Sequence, residues 1–387
     1  MMQTSPISRR AMTPPKPYDR WLVYIVFSLV LFGLLMVASA SIVVSDQQLH
    51  QPFYYFYRQL MFLILGTLLG IIVVQFETKY WEKMSSMMMV SVILLLALVL
   101  LPGIGHAVNG SMRWIGWGPF RMQVSELVKF AVVVYLSSYL VRRNNEIKTS
   151  LTGFIKPIGL LALISLLLLK EPDFGAMVVI MATALGMMFL AGMRVRHFIL
   201  LMVLVLVIFS VLAISAPYRL ARLTSFLNPW ANAFNGGYQL TQSLIAFGRG
   251  GWFGVGLGKS IQKLFYLPEA HTDFLFAVIA EELGLIGMLV IITLFTLLVL
   301  RILLIGKKAQ SLGHHFSGFM AYGFGLWIAF QFIISMGVNS GILPTKGLTL
   351  PLVSYGGSSM LINCVVIALL MRIDYESRMM LLGLRHD

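Results

Sequence analysis

Charge is scarce in this sequence of 387 residues, of which only 11% are Asp, Glu, Lys or Arg. Soluble domains carry about 25%, so the shortage excludes an ordinary soluble enzyme. Acidic residues are the scarcer kind, 15 against 29 basic ones, for a net charge of +14. In a soluble chain that balance would suggest nucleic acid. Here the basic residues lie between apolar blocks, where they read as topology signals at a membrane surface, and no nucleic-acid partner is expected. Cysteine is almost missing. The single Cys364 excludes an internal disulfide framework and a cysteine-based metal cluster. It lies in an apolar run and reads as a small buried hydrophobe.

Apolar residues are abundant: 58% of the chain is hydrophobic, with 24 Met and 26 Phe. A membrane span needs about 20 mostly apolar residues. Ten stretches qualify, near 21–44, 56–76, 84–101, 122–141, 155–169, 174–193, 197–215, 274–300, 316–338 and 350–371. The pattern predicts an all-α polytopic membrane bundle of about ten transmembrane helices. The first stretch is longer than the roughly 7–15 residue core of a secretory signal and reads as a span. Residues 1–20, with Pro14, Pro15 and Pro17, are expected to form a disordered cytoplasmic tail. Residues 21–372 form the membrane domain, and 373–387 a second cytoplasmic tail. Placing both termini in the cytoplasm puts most Lys and Arg on the inside, as the positive-inside rule requires. One long loop, 216–273, then lies outside, and loops longer than about 15 residues are usually functional. A second outside loop, 102–121, is rich in Gly, Trp and Arg. There is no internal repeat of fixed period.

Several motifs invite chemistry. Gly251 to Ser260 resembles a phosphate loop, but the pattern needs Gly at 253, where Phe253 stands. It reads instead as a flexible loop hugging the membrane surface, with backbone N–H groups to offer a diphosphate. Glu126 and Lys129 fall inside a span with i,i+3 spacing, on one helical face. They form either a self-neutralising pair or the polar floor of a substrate cavity. His314 and His315 are adjacent with no carboxylate nearby in sequence, so metal binding there is not expected. Arg219, Arg222, Arg249, Lys259 and Lys263 make the long outside loop basic, which suits anionic headgroups or a diphosphate-bearing substrate. Asp273 closes that loop at the start of a span. It is either a helix N-cap or a general base. Glu281 and Glu282 lie two turns further in and are expected to line a cavity. The Gly/Ser/Pro-rich stretch Gly337–Ser359 predicts a re-entrant or cavity-lining loop.

These stretches carry a family resemblance. Asn228-Pro-Trp230, Gly237-Tyr-Gln239, Gln242-Ser243, Tyr266-Leu-Pro-Glu-Ala-His-Thr-Asp-Phe274 and Leu350-Pro-Leu-Val-Ser-Tyr-Gly-Gly-Ser-Ser359 resemble the SEDS family (shape, elongation, division and sporulation). Asn109-Gly-Ser-Met-Arg-Trp114 and Ser125-Glu-Leu-Val-Lys129 match as well. The resemblance covers about 20–380. Ala270 and Thr345-Lys346-Gly347 are closer to its cell-division branch than to its elongation branch. Glu171, in Glu-Pro-Asp-Phe-Gly175, departs from the family pattern, where Gln is more familiar.

The resemblance implies a peptidoglycan glycosyltransferase that polymerises lipid II at the outer face of the bacterial cytoplasmic (inner) membrane, enriched at the division septum. It implies Asp273 as the catalytic residue, and as partners a class B penicillin-binding transpeptidase and other divisome membrane proteins. Arg113, Arg222, Lys263 and Lys346 are the candidate diphosphate ligands, with a divalent cation, Mg2+ or Mn2+, as a further one. Gln242 and Ser354, in the matching motifs, complete the candidate substrate-binding set. No protein metal site is expected. The rival activity is a lipid II flippase, which would need a charged path across the bilayer. Glu126 and Lys129 are its only mid-span hints.

Overall fold

The computed structural model describes residues 18–103, 105–108, 111–117, 120–149, 152–214 and 224–383. The proposed disordered tail falls almost wholly outside the described residues. The helices are α1 (Arg20–Leu49), α2 (Tyr54–Val73), α3 (Thr78–Val99), α4 (Val124–Arg142), α5 (Asn144–Thr149), α6 (Thr152–Lys170), α7 (Phe174–Leu190), α8 (Val195–Ile214), α9 (Tyr238–Gly250), α10 (Leu275–Ser311), α11 (His315–Asn339) and α12 (Gly357–Leu381). Each expected span has its helix. Eight are long and apolar enough to cross a membrane, while α7 and the apolar part of α8, Val195–Ile208, are shorter. This is an almost wholly helical, multi-pass membrane protein.

Polarity sorts the helices between centre and rim. Buried residues make up 83% of the apolar window of α4 and 72% of that of α12, against 28% in α2, α3 and α10. The central α4 carries Glu126 and Lys129, and α12 carries Ser358, Ser359 and Asn363. Polar side chains in lipid cost several kcal/mol unless they find partners, so the helices that carry them are drawn inward. The rim helices expose apolar side chains along their outer faces. In α1, Trp21, Tyr24, Phe27, Leu31 and Leu35 face out, while Leu22, Leu29 and Met36 are buried.

The structure departs from the sequence reading in three places. Three strands, β1 (His106–Val108), β2 (Ser111–Trp117) and β3 (Phe120–Gln123), form a small antiparallel sheet, with Trp114 opposite Gln123 and Gly116 opposite Arg121. Strand β3 runs directly into α4. The last helix begins at Gly357 rather than near 350 and continues to Leu381, so residues 341–356 are a non-helical segment laid between helices. Finally, Glu281 and Glu282 are not among the residues that line the cavity at Asp273. Glu281 accepts from Arg249 (2.8 Å), Ser260 Oγ (2.5 Å) and the amides of Ile261 (3.1 Å) and Gln262 (3.3 Å). Glu282 accepts from Ser39 Oγ (2.7 Å), Lys263 Nζ (2.7 Å) and the amide of Ser260 (3.4 Å). The two carboxylates therefore clamp loop 249–263 onto α10.

The glycine-rich stretch serves the same clamp. Helix α10 is broken at Gly284, with φ +64° and ψ −160°. The freed backbone pairs with the loop: Val255 N to Glu281 O (2.9 Å), Gly256 N to Glu282 O (3.0 Å), Leu285 N to Gly251 O (3.0 Å) and Ile286 N to Trp252 O (3.2 Å). A Cβ at Gly284 would stand 2.4 Å from Gly254 N, and one at Gly254 2.1 Å from Glu282 O. Both positions need glycine for space as well as for their positive φ. Gly258, at φ +80°, has open space around it. Gly258→Ala should cost about 1–2 kcal/mol, the left-handed penalty alone. Gly284→Ala should cost clearly more, because backbone has to move. Thermal unfolding in detergent checks this, and equal losses for the two variants would show that the clamp is not close-packed.

Candidate active site

Four helices, α4, α7, α10 and α12, begin around one cavity of about 550 Å³. Their first turns contribute Ser125 and Glu126, Ala176, Phe274, and Gly357 to Ser359, with Asp173, Asp273 and Gly356 just ahead of them. Helix N-termini carry a partial positive charge and unsatisfied N–H groups, which together favour anions. Arg58, Arg113, Arg121, Lys129 and Lys346 add full positive charges, and Glu126, Asp173, Glu269 and Asp273 are the carboxylates. The remaining wall is the non-helical run Thr345–Thr349 with Tyr355.

Asp273 is not the helix cap. Helix α10 has Phe274 at its N-cap position with no side-chain bond. The cap comes from another helix: Asn339, at the end of α11, accepts from the amide of Ala277 (3.1 Å) and donates to the carbonyl of Asp273 (2.9 Å). Among the described residues no hydrogen bond reaches the Asp273 carboxylate. The turn before it is fixed from both sides. The amide of Tyr355 donates to the carbonyl of His271 (3.0 Å), and the His271 ring lies 4.5 Å from that of Tyr55 and 5.6 Å from that of Tyr355. Gly347 is the lid over the carboxylate, where a Cβ would stand 2.8 Å from Asp273 Oδ2.

This setting tunes the acid. Burial, aided by the charge of Glu269, pushes the Asp273 carboxyl up to about 7, against the pull of Arg113. An ordinary aspartate titrates near 3.9. His271, also buried, is pulled below its usual range and stays neutral. Burial pushes the Tyr355 hydroxyl up to about 12.

The neighbouring carboxylates are engaged. Asp173 caps α7 through the amide of Ala176 (3.2 Å) and accepts from Ser125 Oγ (2.8 Å) and Gln123 Nε2 (3.1 Å). Glu126 accepts from Lys129 Nζ at 2.8 Å. Lys129 also donates to Gln331 Oε1 (2.8 Å) and lies 5.0 Å from the Trp327 ring. Gln331 in turn donates to the carbonyl of Thr349 (2.9 Å). The 126–129 pair therefore neutralises itself and also lines the cavity.

Of the candidate cations, Arg113 and Lys346 line the cavity. Arg113 is braced by the carbonyls of Glu171 (3.0 Å) and Pro172 (2.6 Å), and Lys346 lies 4.1 Å from the Phe174 ring centre. Lys263 does not line it. It is buried and paired with Glu282 at 2.7 Å. Ser354 is not a lining residue either, since its hydroxyl accepts from the amide of Leu350 (3.1 Å) and shapes a turn. Gln242 sits on α9 outside the lining, and Arg222 falls outside the described residues. Arg58 and Arg121 line the cavity although no motif contains them, and so do Gln239 and Glu269, which lie in the family-like motifs but are not among the candidate site residues. Arg58 and Arg121 do have a signal in the sequence. Each is an isolated basic residue on the side the positive-inside rule leaves poor in them. Among the described residues no three His, Cys, Asp or Glu side chains are gathered to hold a metal ion.

The comparisons with known proteins agree with this geometry. The model of the FtsW/RodA/SpoVE cell cycle proteins matches residues 20–379. A Legionella pneumophila protein named probable peptidoglycan glycosyltransferase FtsW is 58% identical over 380 residues, 98% of this chain and 95% of its own. A Coxiella burnetii protein of the same name is 56% identical over 360 residues, 93% of this chain and 97% of its own. Among solved structures, a chain from a peptidoglycan synthase complex described as coordinating polymerization and crosslinking superposes with a TM-score of 0.78 at 27% identity, covering 93% of this chain and 98% of that one. The rod shape determining protein RodA of Thermus thermophilus superposes with a TM-score of 0.67 at 26% identity, covering 92% and 96%. The chain belongs to the FtsW/RodA/SpoVE family.

Proposed function

We propose that this protein is a peptidoglycan glycosyltransferase that polymerises lipid II, a disaccharide-pentapeptide on undecaprenyl diphosphate, into β-1,4-linked glycan strands. The observation that carries the reading is an Asp273 carboxylate raised toward neutrality, engaged by no cap, in a cavity where Arg113, Lys346 and four helix N-termini converge. The names of the relatives at 58% and 56% identity support the same activity.

The chemistry follows from the stereochemistry. The donor bond is α to diphosphate and the product is β, so one inverting displacement suffices and one base is needed. Asp273 takes the proton of the acceptor 4-hydroxyl. A base titrating near the working pH accepts that proton far better than an ordinary aspartate. The departing diphosphate gathers charge, which Arg113, Lys346 and the helix N-termini are placed to meet.

The site faces the outer side of the cytoplasmic membrane, with both termini inside and the protein at the division septum. A class B transpeptidase is the partner that crosslinks its product. Support comes from the structurally similar synthase complex, which coordinates polymerization with crosslinking. Other divisome membrane proteins complete the setting. The flippase alternative needs a charged path across the bilayer, whereas Glu126 and Lys129 are tied to one another and to Gln331.

Labelled lipid II given to the purified protein, with its transpeptidase partner present, tests the reading. Wild type is expected to form polymer, and folded Asp273→Ala to lose at least about 100-fold, the usual worth of a positioned base. Equal polymer from both would return Asp273 to a structural role. Translocation in sealed vesicles without any polymer would favour the flippase. Because only the ionised carboxylate accepts a proton, the rate should rise with pH and reach half its plateau near pH 7, where the Asp273 carboxyl lies. A rate flat from pH 5 to 8 would contradict this. Arg113→Gln should lower kcat/KM about 10- to 100-fold in a stable protein. Lys263→Ala should instead destabilise by about 3–5 kcal/mol, because it strands the buried Glu282. Thermal unfolding set beside initial rates separates the two effects.

A further inference from the structure

Glu171, in the turn between α6 and α7, is fully buried, and neither of its carboxyl oxygens has a hydrogen-bond partner. It does not line the cavity, yet its own backbone carbonyl is one of the two oxygens that brace Arg113. We infer that Glu171 is a positioning residue that acts through Arg113: in its neutral form it leaves the guanidinium facing the diphosphate, and in its ionised form it draws the guanidinium away. The inference rests on the glycosyltransferase reading above.

Glu171 and the diphosphate compete for a single cation. An ionised carboxylate with no donor is unsustainable in a buried site, so Glu171 either stays protonated or recruits a positive partner. Two charged groups act on it, Asp173 from its own turn and Arg113 from β2. Asp173 repels it and is already engaged by Ala176, Ser125 and Gln123. Lys170 precedes it in the chain and is exposed, and Lys346, from the 341–356 segment, lies over the Phe174 ring. Arg113 is therefore the cation within its influence. Its guanidinium rests on the carbonyls of residues 171 and 172, neutral acceptors that a nearby carboxylate outcompetes, since charge-assisted hydrogen bonds are roughly twice as strong as neutral ones. Burial, with the charge of Asp173, pushes the Glu171 carboxyl up to about 8, so the neutral form prevails at pH 7. Arg113 also acts on Asp273, so its withdrawal weakens leaving-group stabilisation and perturbs the base together.

The test is a pair of pH profiles with lipid II and the transpeptidase partner present. Wild type should lose about fivefold in kcat/KM between pH 7 and pH 9, because the protonated fraction of Glu171 falls about tenfold through a midpoint near 8 while ionisation of Asp273 gains about twofold. Glu171→Gln keeps the shape and cannot ionise. It should stay within about threefold of wild type at pH 7 and show no such alkaline limb. An unchanged alkaline limb in Glu171→Gln would overturn the inference. A second measurement needs neither catalysis nor a folded variant. Infrared difference spectra of the wild-type protein between pH 7 and pH 9 should lose the Asp273 carboxyl band, with its midpoint near 7, and a second protonated carboxyl band with a midpoint near pH 8, and labelling of Glu carboxyls should shift that second band. Absence of the second band at pH 7 would overturn the inference even if no polymerisation were detected. Its presence beside a protein that makes no polymer would locate the failure in the glycosyltransferase reading.

Discussion

Non-helical backbone cannot lie against lipid with its N–H and C=O groups unpaired, and the end of the bundle that holds Asp273 is largely non-helical. What makes it stable is a set of buried polar side chains that project from helices and take up backbone groups of the loops. Glu281 binds the amides of Ile261 and Gln262, and Glu282 that of Ser260. Asn339 holds the carbonyl of Asp273 and the amide of Ala277. Gln331 takes the carbonyl of Thr349, and Gln59 binds the carbonyl of Ser354 and the amide of Gly356. The bonds from Asn339, Gln331 and Gln59 fix the backbone of the cavity wall at Asp273, Thr349 and Gly356. Polar residues that hydropathy alone would count as defects in a span are the fixings of the site.

Hydrogen bonding also sets the proposed base apart from its neighbours. A carboxylate whose oxygens are taken up by several donors is committed to holding them in place. Asp173, Glu281 and Glu282 are of that kind. Asp273 differs because Asn339 has taken over the capping task that its position before α10 would otherwise give it. Relieved of the cap, the Asp273 carboxylate faces a cavity with Gly347 on its other wall, where a Cβ would stand 2.8 Å from Oδ2. Position at a helix start and freedom from helix capping are thus supplied by two different residues.

The helical bundle is legible in the sequence because its signal is local: each span is a run of apolar residues long enough to cross lipid. The small sheet is not, since strands of three, seven and four residues leave too short a pattern to read. The cavity is half legible. Asp273, Arg113, Lys346, Glu126 and Lys129 stand out by residue type and place. Lys263 is misplaced by sequence reasoning because its partner, Glu282, sits on a helix where nothing in the loop announces it. The choice between cap and base at Asp273 stays open in the sequence for the same reason, since the deciding residue, Asn339, is 62 positions from the amide it caps. Arg58 and Arg121 merge into the count of topology charges, although their being on the wrong side for that rule is itself the clue.

The proposed reaction sets two demands on one small volume. The leaving diphosphate needs concentrated positive charge, and positive charge near Asp273 makes it a weaker base. Desolvation works the other way, raising the affinity of the carboxylate for a proton. The structure balances them by distance and by medium. Arg113 is close enough to act on Asp273, yet it is braced on carbonyls of the α6–α7 turn rather than bonded to the carboxylate. Lys129 is neutralised by Glu126, and so adds little to the field at the base. Burial therefore outweighs the cations, and the carboxyl settles at about 7. A direct Arg113–Asp273 pair would serve the leaving group at the expense of the base. Holding the guanidinium on neutral oxygens keeps both functions in one cavity.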